Sequence, residues 1–296
     1  ETLSGDEIHN WLTVNGTSVR INEGKATEYV KKLAASYDTA YKAKSLKTSY
    51  GKTVSITGGS YGYKINQAKE AATLVSLIKN GEQTSREPEY SQKAASRSGN
   101  DYGNTYVEIN LTAQHLYFYV DGKLLVQSDF VSGNAAKGWS TPAGAYALTY
   151  KQRNATLKGQ GYATPVSYWM PFNGGIGLHD ANWRKTFGGT IYKNKGSHGC
   201  INLPPAVAKT IYENISAGDP VLCYHLDGTE SSSTGGTKKD GEAETTAPAT
   251  TAPTTAAPTT AAPTNAAPTT AAPETTAAGP SVPETAAAET TPAVTA

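Results

Sequence analysis

Apolar positions recur along this chain with two periods, and the switch between them divides the sequence. In NEGKATEYVKKLAASYDTAYKA (22–43), Ala26, Val30, Leu33, Tyr37 and Tyr41 return every three to four residues, the signature of one face of an amphipathic helix. INQAKEAATLVSLIKNG (65–81) repeats the pattern through Ala71, Leu74, Val75 and Ile78, with Asn66 placed to cap its start and Gly81 to close it. Between them KTVSITGGSYGYKI (52–65) alternates apolar and polar residues around Gly58-Gly59, which predicts a hairpin. Residues 1–98 therefore read as a small α+β domain, and its one histidine, His9, has no evident partner.

SRSGNDYGN (96–104) is polar and glycine-rich, and residues 99–104 are the natural linker. Beyond it the period becomes two. TYVEINL, HLYFYVDGKLLVQSDFVSG and AYALTYK are β-branched and aromatic, and Asp121-Gly122 is a strong hairpin signal. Short strands punctuated by Gly and Pro predict a mostly β domain over 105–226, a β-sandwich or barrel-like sheet. One helix fits, PPAVAKTIYENI (204–215), with prolines in its opening turn and Gly218 just past its end. DPVLCYHL then reads as a final buried strand.

Composition sets the limit of folding. All 4 Trp, 18 Tyr and 4 Phe lie at or before Tyr224, while 9 of the 16 prolines follow Asp227. Residues 227–296 are mostly Thr, Ala, Pro, Ser, Gly and Glu, with prolines from Pro248 to Pro273 five apart. Such a segment cannot bury enough apolar surface to offset its conformational entropy, so it reads as a disordered spacer. A net charge of +1, with lysines and arginines scattered rather than striped, gives no support for nucleic-acid binding. No run of apolar residues is long enough to span a membrane. The chain opens on Glu1 and its only methionine is Met170, so it reads as a trimmed piece of a longer product, and any membrane attachment would come from a segment upstream.

The candidate chemistry lies in KNKGSHGCINLPP (193–205). Zinc wants about four ligands with paired spacings, which two distant cysteines do not supply. No metal or organic cofactor is expected. Cys223, between Leu222 and Tyr224, reads as core; a disulfide to Cys200 would waste the neighbouring histidine. A free thiol is weakly ionised at neutral pH, so a nucleophilic Cys200 needs a base or cation nearby. His198 stands two residues before it and His179 lies upstream in the strand-like GGIGLHD. Gly199 removes a side chain where a carbonyl must approach, and the amides of 198–200 are candidates for an oxyanion site. The alternative is a buried cysteine among satisfied histidines.

GLHDANWRKTFGGTIYKNKGSHGCINLP resembles the signature of the L,D-transpeptidase (YkuD) family: a His, a spacer, Ser/Thr-His-Gly-Cys, a hydrophobic residue, then Asn or Arg. Here these are His179, Ser197, His198, Gly199, Cys200, Ile201 and Asn202. VSGNAAKGWSTPAGAYAL is similar to the family's strand, loop and Thr-Pro-x-Gly-x-aromatic segment, in Thr141, Pro142, Gly144 and Tyr146. Residues 1–98 are similar to the peptidoglycan-binding domain often placed before this catalytic domain in Gram-positive bacteria.

The resemblance implies acyl transfer on peptidoglycan stem peptides, donor and acceptor. Cys200 would attack the carbonyl of the third stem residue and expel the terminal D-alanine, and an amine of a second stem would take the acyl group, forming a 3→3 cross-link. By position, Cys200 is the nucleophile, His179 the base, and the amides around Gly199 and Cys200 the oxyanion hole. His198 shapes the site or competes as base, and Asp180 orients His179 through its carbonyl or its carboxylate. Ser197, Asn202, Arg184, Trp183 and Tyr168 form the expected substrate-binding set, with Arg184 on a stem carboxylate and Trp183 against the peptide. Carbapenem-type β-lactams are the implied inhibitors, and the implied location is extracellular, at the cell wall. Water as acceptor would instead give an L,D-carboxypeptidase, and a protein amine an anchoring enzyme; a non-catalytic wall binder is a further alternative. Papain-like and NlpC/P60 enzymes place Cys before His, which would need His225, and sortases need an arginine after Cys200, where there is none.

Overall fold

The computed structural model describes residues 1–159 and 162–230. The tail expected to be disordered lies almost wholly outside them. A short helix α1 (Gly5–His9) leads into the hairpin β1 (Leu12–Asn15) and β2 (Ser18–Ile21), then α2 (Glu23–Tyr37). The Asn22 side chain accepts from the amides of Gly24 and Lys25 at the start of α2. β3 (Lys44–Lys47), β4 (Thr53–Ile56), β5 (Lys64–Ile65), α3 (Gln67–Asn80) and β6 (Tyr90–Gln92) complete the first half. As expected, Asn66 caps α3 and Gly81, at φ 66°, ends it. The two long helices pack through Val30, Ala34, Ala71 and Val75 onto Trp11 and Ile65.

Two expectations for this half are corrected. α2 stops at Tyr37, because Asp38 turns extended and spends its carboxylate on the Ile65 amide; Tyr41 therefore lies beyond the helix, exposed. The hairpin does not turn at Gly58-Gly59. β4 pairs backwards with β3, while the glycines run beside Ala145 in the second half, where a Cβ on Gly59 would sit 2.0 Å from the Ala145 carbonyl oxygen. Glycine is required there by close backbone approach rather than by a turn.

The second half holds β7 (Tyr106–Asn110), β8 (His115–Val120), β9 (Lys123–Asp129), a 3-10 turn (Ala135–Lys137), β10 (Gly144–Ala147), β11 (Gln152–Gly159), β12 (Tyr162–Asn173), β13 (Ile176–Asp180), α4 (Ile191–Lys195), β14 (Ile201–Leu203), α5 (Pro205–Asn214) and β15 (Pro220–Tyr224). A five-stranded sheet runs β10-β15-β7-β8-β9 and a four-stranded sheet β11-β12-β13-β14. Val107, Ile109, Leu116 and Phe118 from the first meet Met170, Leu178, Ile201 and Leu203 from the second, with Ala208 and Ile211 of α5 in the same core. Cys223 is fully buried there and both cysteines are free, so no disulfide competes for Cys200.

β13 and β14 pair in parallel, Leu178 with Ile201 and His179 with Asn202. A parallel neighbour requires a crossover, and residues 181–200 supply it. The two halves of the candidate signature are thereby brought side by side.

Candidate active site

Alternation along a strand puts His179 and Gly177 on one face of β13, and the parallel register puts Cys200 and Asn202 on the same face next door. Cys200 sits two positions before the residue opposite His179. Its thiol faces the carbonyl of Gly175 at 3.6 Å and receives the Gly177 amide. Gly177 has no room for a side chain: a Cβ would meet the Trp169 ring at 2.7 Å. Trp169 belongs to the small apolar cluster with Ala155 and Val166 against which Cys200 packs.

His179 is buried, and its Nδ1 lies 2.8 Å from the Asp180 carbonyl oxygen. A carbonyl only accepts, so Nδ1 carries the proton and Nε2 keeps a lone pair. Asp180 meets His179 through its carbonyl, while its carboxylate is turned to the neighbouring strand, where Oδ1 accepts from the Tyr168 amide at 2.8 Å. Burial pushes His179 below its ordinary value of 6.5; Asp180 opposes this and Arg184 adds to it. Burial likewise pushes the Cys200 thiol above its ordinary 9.0, offset in part by the Gly177 amide.

The SHGC turn is held from both sides. Ser197 Oγ accepts from the Gly199 amide at 3.0 Å and donates to the Cys200 carbonyl at 2.6 Å. Segment 131–134 stitches its ends: the Ser197 amide bonds Ser132, the Asn134 amide bonds Ser197, and Val131 exchanges two hydrogen bonds with Asn202. Thr141 Oγ1 accepts from the Gly133 amide at 3.0 Å and donates to the Gly199 carbonyl at 2.6 Å. Gly199 takes φ +120°, a conformation that favours glycine.

A buried histidine with a fixed tautomer thus stands on the same sheet face as the thiol of a braced Ser-His-Gly-Cys turn. The family model described as L,D-transpeptidase catalytic domain matches residues 104–223, and the one described as putative peptidoglycan binding domain matches residues 5–86. The crystal structure of a cysteine-to-serine mutant of the Enterococcus faecium L,D-transpeptidase is 34% identical, with a TM-score of 0.61, over 75% of this chain and 90% of that one. The structure of the Ldtfm-avibactam carbamoyl enzyme gives the same identity, TM-score and share of this chain, and 88% of its own. Comparison with curated proteins gives no match.

The chain belongs to the L,D-transpeptidase family. It is thus an enzyme of the peptidoglycan cross-linking class, associated with the cell wall, and the remaining site residues take their places in an L,D-transpeptidase cleft. No helix among the described residues is long and apolar enough to cross a membrane.

Several expected residues sit elsewhere than foreseen. The Gly199 amide is committed to Ser197, so Gly199 contributes backbone freedom rather than a donor, and Ser197 spends its hydroxyl bracing the turn. Tyr168 faces away from the cleft, packed on Tyr212 at 5.3 Å with Arg153 over its ring; alternation gives the cleft to Trp169, whose ring centroid is 6.0 Å from that of His179. Trp183 also lies with its ring centroid 6.0 Å from that of His179, and is half exposed. Arg184 donates from Nη2 to the Lys195 carbonyl at 2.8 Å; its Nε is buried with no hydrogen-bond partner, and no carboxylate lies within ion-pair distance among the described residues. Asn202 is buried beside His179, its Oδ1 equally unpartnered. The segment between the two halves of the signature carries the short helix α4.

Trp139 was not foreseen. Its ring stacks on His198 at 4.1 Å and 25°, with Lys137 Nζ 4.8 Å from its centre, so His198 is exposed against one aromatic ring while His179 is buried and oriented. Thr141 was visible as part of a motif, but its bond to the Gly199 carbonyl joins residues 58 positions apart, and no local pattern reports such a contact.

Proposed function

We propose that this enzyme forms 3→3 peptidoglycan cross-links by acyl transfer through Cys200. The observation that carries this reading is the bond from His179 Nδ1 to the Asp180 carbonyl, which leaves Nε2 as a base on the face that bears the thiol. Nε2 takes the thiol proton as Sγ attacks the carbonyl of the third stem residue. Collapse of the tetrahedral intermediate forms the thioester, breaks the bond to D-alanine and returns the proton to the leaving amine. An amine of a second stem then attacks the thioester, loses a proton to His179, and releases the cross-link as Cys200 regains its thiol.

Thr141 supports the oxyanion site indirectly. It fixes the Gly199 carbonyl, and across a trans peptide the Cys200 N–H points the opposite way. That amide is the donor assigned to the developing oxyanion. Arg184 is assigned to a donor-stem carboxylate and Trp183 to the peptide wall. Carbapenem-type β-lactams are assigned as acylating agents at Cys200, in keeping with the carbamoyl enzyme that a relative forms with avibactam. The site of action is placed outside the cell, at the wall.

The test is intact-protein mass spectrometry after incubation with a carbapenem and, separately, with a disaccharide-tetrapeptide, on wild type and Cys200→Ala. The expected result is an adduct on wild type alone, with D-alanine release and a dimer mass. D-alanine release without dimer would assign a carboxypeptidase; no adduct and no turnover by freshly reduced enzyme would overturn the reading.

A further inference from the structure

One loop grips three successive residues of the Ser-His-Gly-Cys turn. The Asn134 amide bonds the Ser197 carbonyl at 2.9 Å, the Trp139 ring stacks on His198 at 4.1 Å, and Thr141 Oγ1 donates to the Gly199 carbonyl at 2.6 Å. The first and third grips act on backbone atoms. The second acts on a side chain, and the mechanism above makes no use of it.

The indole is fixed by its own backbone. The Trp139 amide donates to the Asn134 carbonyl at 2.9 Å, directly after Gly138 at φ 71°. Asn134 accepts the Lys137 amide on Oδ1 at 3.1 Å and donates from Nδ2 to the Asn194 carbonyl at 2.8 Å, which ties the loop to α4. The Trp139 carbonyl lies against Gly133, where a Cβ would sit 1.8 Å from its oxygen. Lys137 Nζ adds a cation–π contact at 4.8 Å from the ring centre. Yet this ring serves no core: it is 38% exposed and belongs to none of the apolar clusters among the described residues. An exposed indole anchored this firmly, and laid at 25° on one imidazole, holds that imidazole in place.

What the contact controls follows from the glycine beside it. Gly199, at φ +120°, has no side chain, so the peptide planes on either side of it keep their orientation only through groups outside it. Ser197 Oγ takes its amide and Thr141 its carbonyl, and the residue that enters this pair of planes is His198. His198 cannot swing without giving up its stack, and an aromatic pair of this kind is worth up to about tenfold in an equilibrium. Two residues on, the same turn presents the Cys200 amide and thiol.

We infer that Trp139 is a positioning residue for acylation, acting through His198 to set the turn that presents Cys200. The inference rests on the reading of Cys200 as nucleophile with its own amide as oxyanion donor. It gives a role in the rate to a residue that touches no reacting atom.

The test is the rate of carbapenem acylation of the full chain, followed by rapid-mixing mass spectrometry over a range of carbapenem concentrations. Trp139→Ala is expected to lower the maximal acylation rate about tenfold with the half-saturating concentration unchanged. Trp139→Phe, which keeps an aromatic face, restores the rate to within about twofold, and Trp139→Leu, which keeps only bulk, does not. The decisive measurement is a double-mutant cycle: in a His198→Ala background, Trp139→Ala costs less than about twofold, because the ring it acts through is gone. Independent, multiplying losses would overturn the inference, as would full rescue by Trp139→Leu. A raised half-saturating concentration at an unchanged maximal rate would overturn it too, by making Trp139 a ligand contact. Melting temperatures of the four variants identify any loss that comes from unfolding, and the smaller change in Trp139→Phe keeps the comparison open where Trp139→Ala does not fold: a tenfold loss in a folded Trp139→Phe counts against the stack. Absence of a wild-type adduct would overturn the acylation reading and the inference with it, whereas normal acylation by every Trp139 variant would overturn the inference alone.

Discussion

His179 and Cys200 are both shifted toward their neutral forms, and this fixes the expected pH dependence. His179 must be unprotonated to accept the thiol proton, so activity rises with pH through its pKa, which burial places below 6.5. The acid limb of kcat/KM is therefore expected below pH 6.5, and the raised thiol pKa means no thiolate-driven increase below about pH 9. A limb centred above 6.5 would contradict the assignment of His179 as base. Thr141 touches no reacting atom in this arrangement, yet it serves two buried backbone groups at once. Thr141→Val leaves the Gly133 amide and the Gly199 carbonyl unpaired, with an expected loss of about 1–3 kcal/mol. The carbapenem acylation rate should fall with it, and Thr141→Ser should restore both, as read by thermal unfolding and rapid-mixing mass spectrometry. The types of these residues were legible in the chain; the direction of their hydrogen bonds was not, because Ser197, Gly199 and Asp180 each have more than one partner within local reach.

At the scale of elements, the site is a product of the β13–β14 parallel pair and of segment 131–134, which holds both ends of the SHGC turn. Gly133 is the tightest point: a Cβ there would meet the Trp139 carbonyl oxygen at 1.8 Å and the Gly199 Cα at 2.9 Å. Backbone atoms cannot yield as a flexible side chain does, so Gly133→Ala is expected to destabilise by at least 1–3 kcal/mol and to abolish acylation. A wild-type melting temperature and rate would refute that packing. Periodicity located α3 and α5 well, because their caps and breakers are local. It misplaced the hairpin in 52–65, because alternation says that a strand exists and not which strand it joins. It also carried α2 through Tyr41, since the bond from the Ile65 amide to Asp38 that accompanies the helix end comes from 27 residues away.

At the scale of the molecule, the N-terminal half is fastened to the catalytic sheet through a buried acid. Glu108 on β7 is fully buried and accepts from the Ser49 amide at 2.9 Å, the Ser49 hydroxyl at 2.7 Å and the Tyr224 hydroxyl at 2.6 Å. Glu108→Gln replaces an acceptor by a donor against this set and is expected to lose about 2 kcal/mol in chemical denaturation, with adduct formation at Cys200 preserved where the protein is folded. Unchanged stability would show that this contact does not fasten the two halves. The isolated bridge from Gly59 to Ala145 of β10 belongs to the same junction.

The sequence by itself determined where chemistry is found: a His, a spacer of 17 residues, and Ser-His-Gly-Cys, within a β-rich region that follows a helical one. It did so because side-chain type and local spacing are properties of neighbouring residues. The tertiary structure decided which histidine is buried and oriented, that Asp180 meets it through its carbonyl, that Trp169 and not Tyr168 lies beside His179, and that Gly59 of the first half bridges Ala145 of the second. Each of those depends on backbone groups brought together from distant positions, where hydrogen-bond geometry and close packing, not residue type, select the partner.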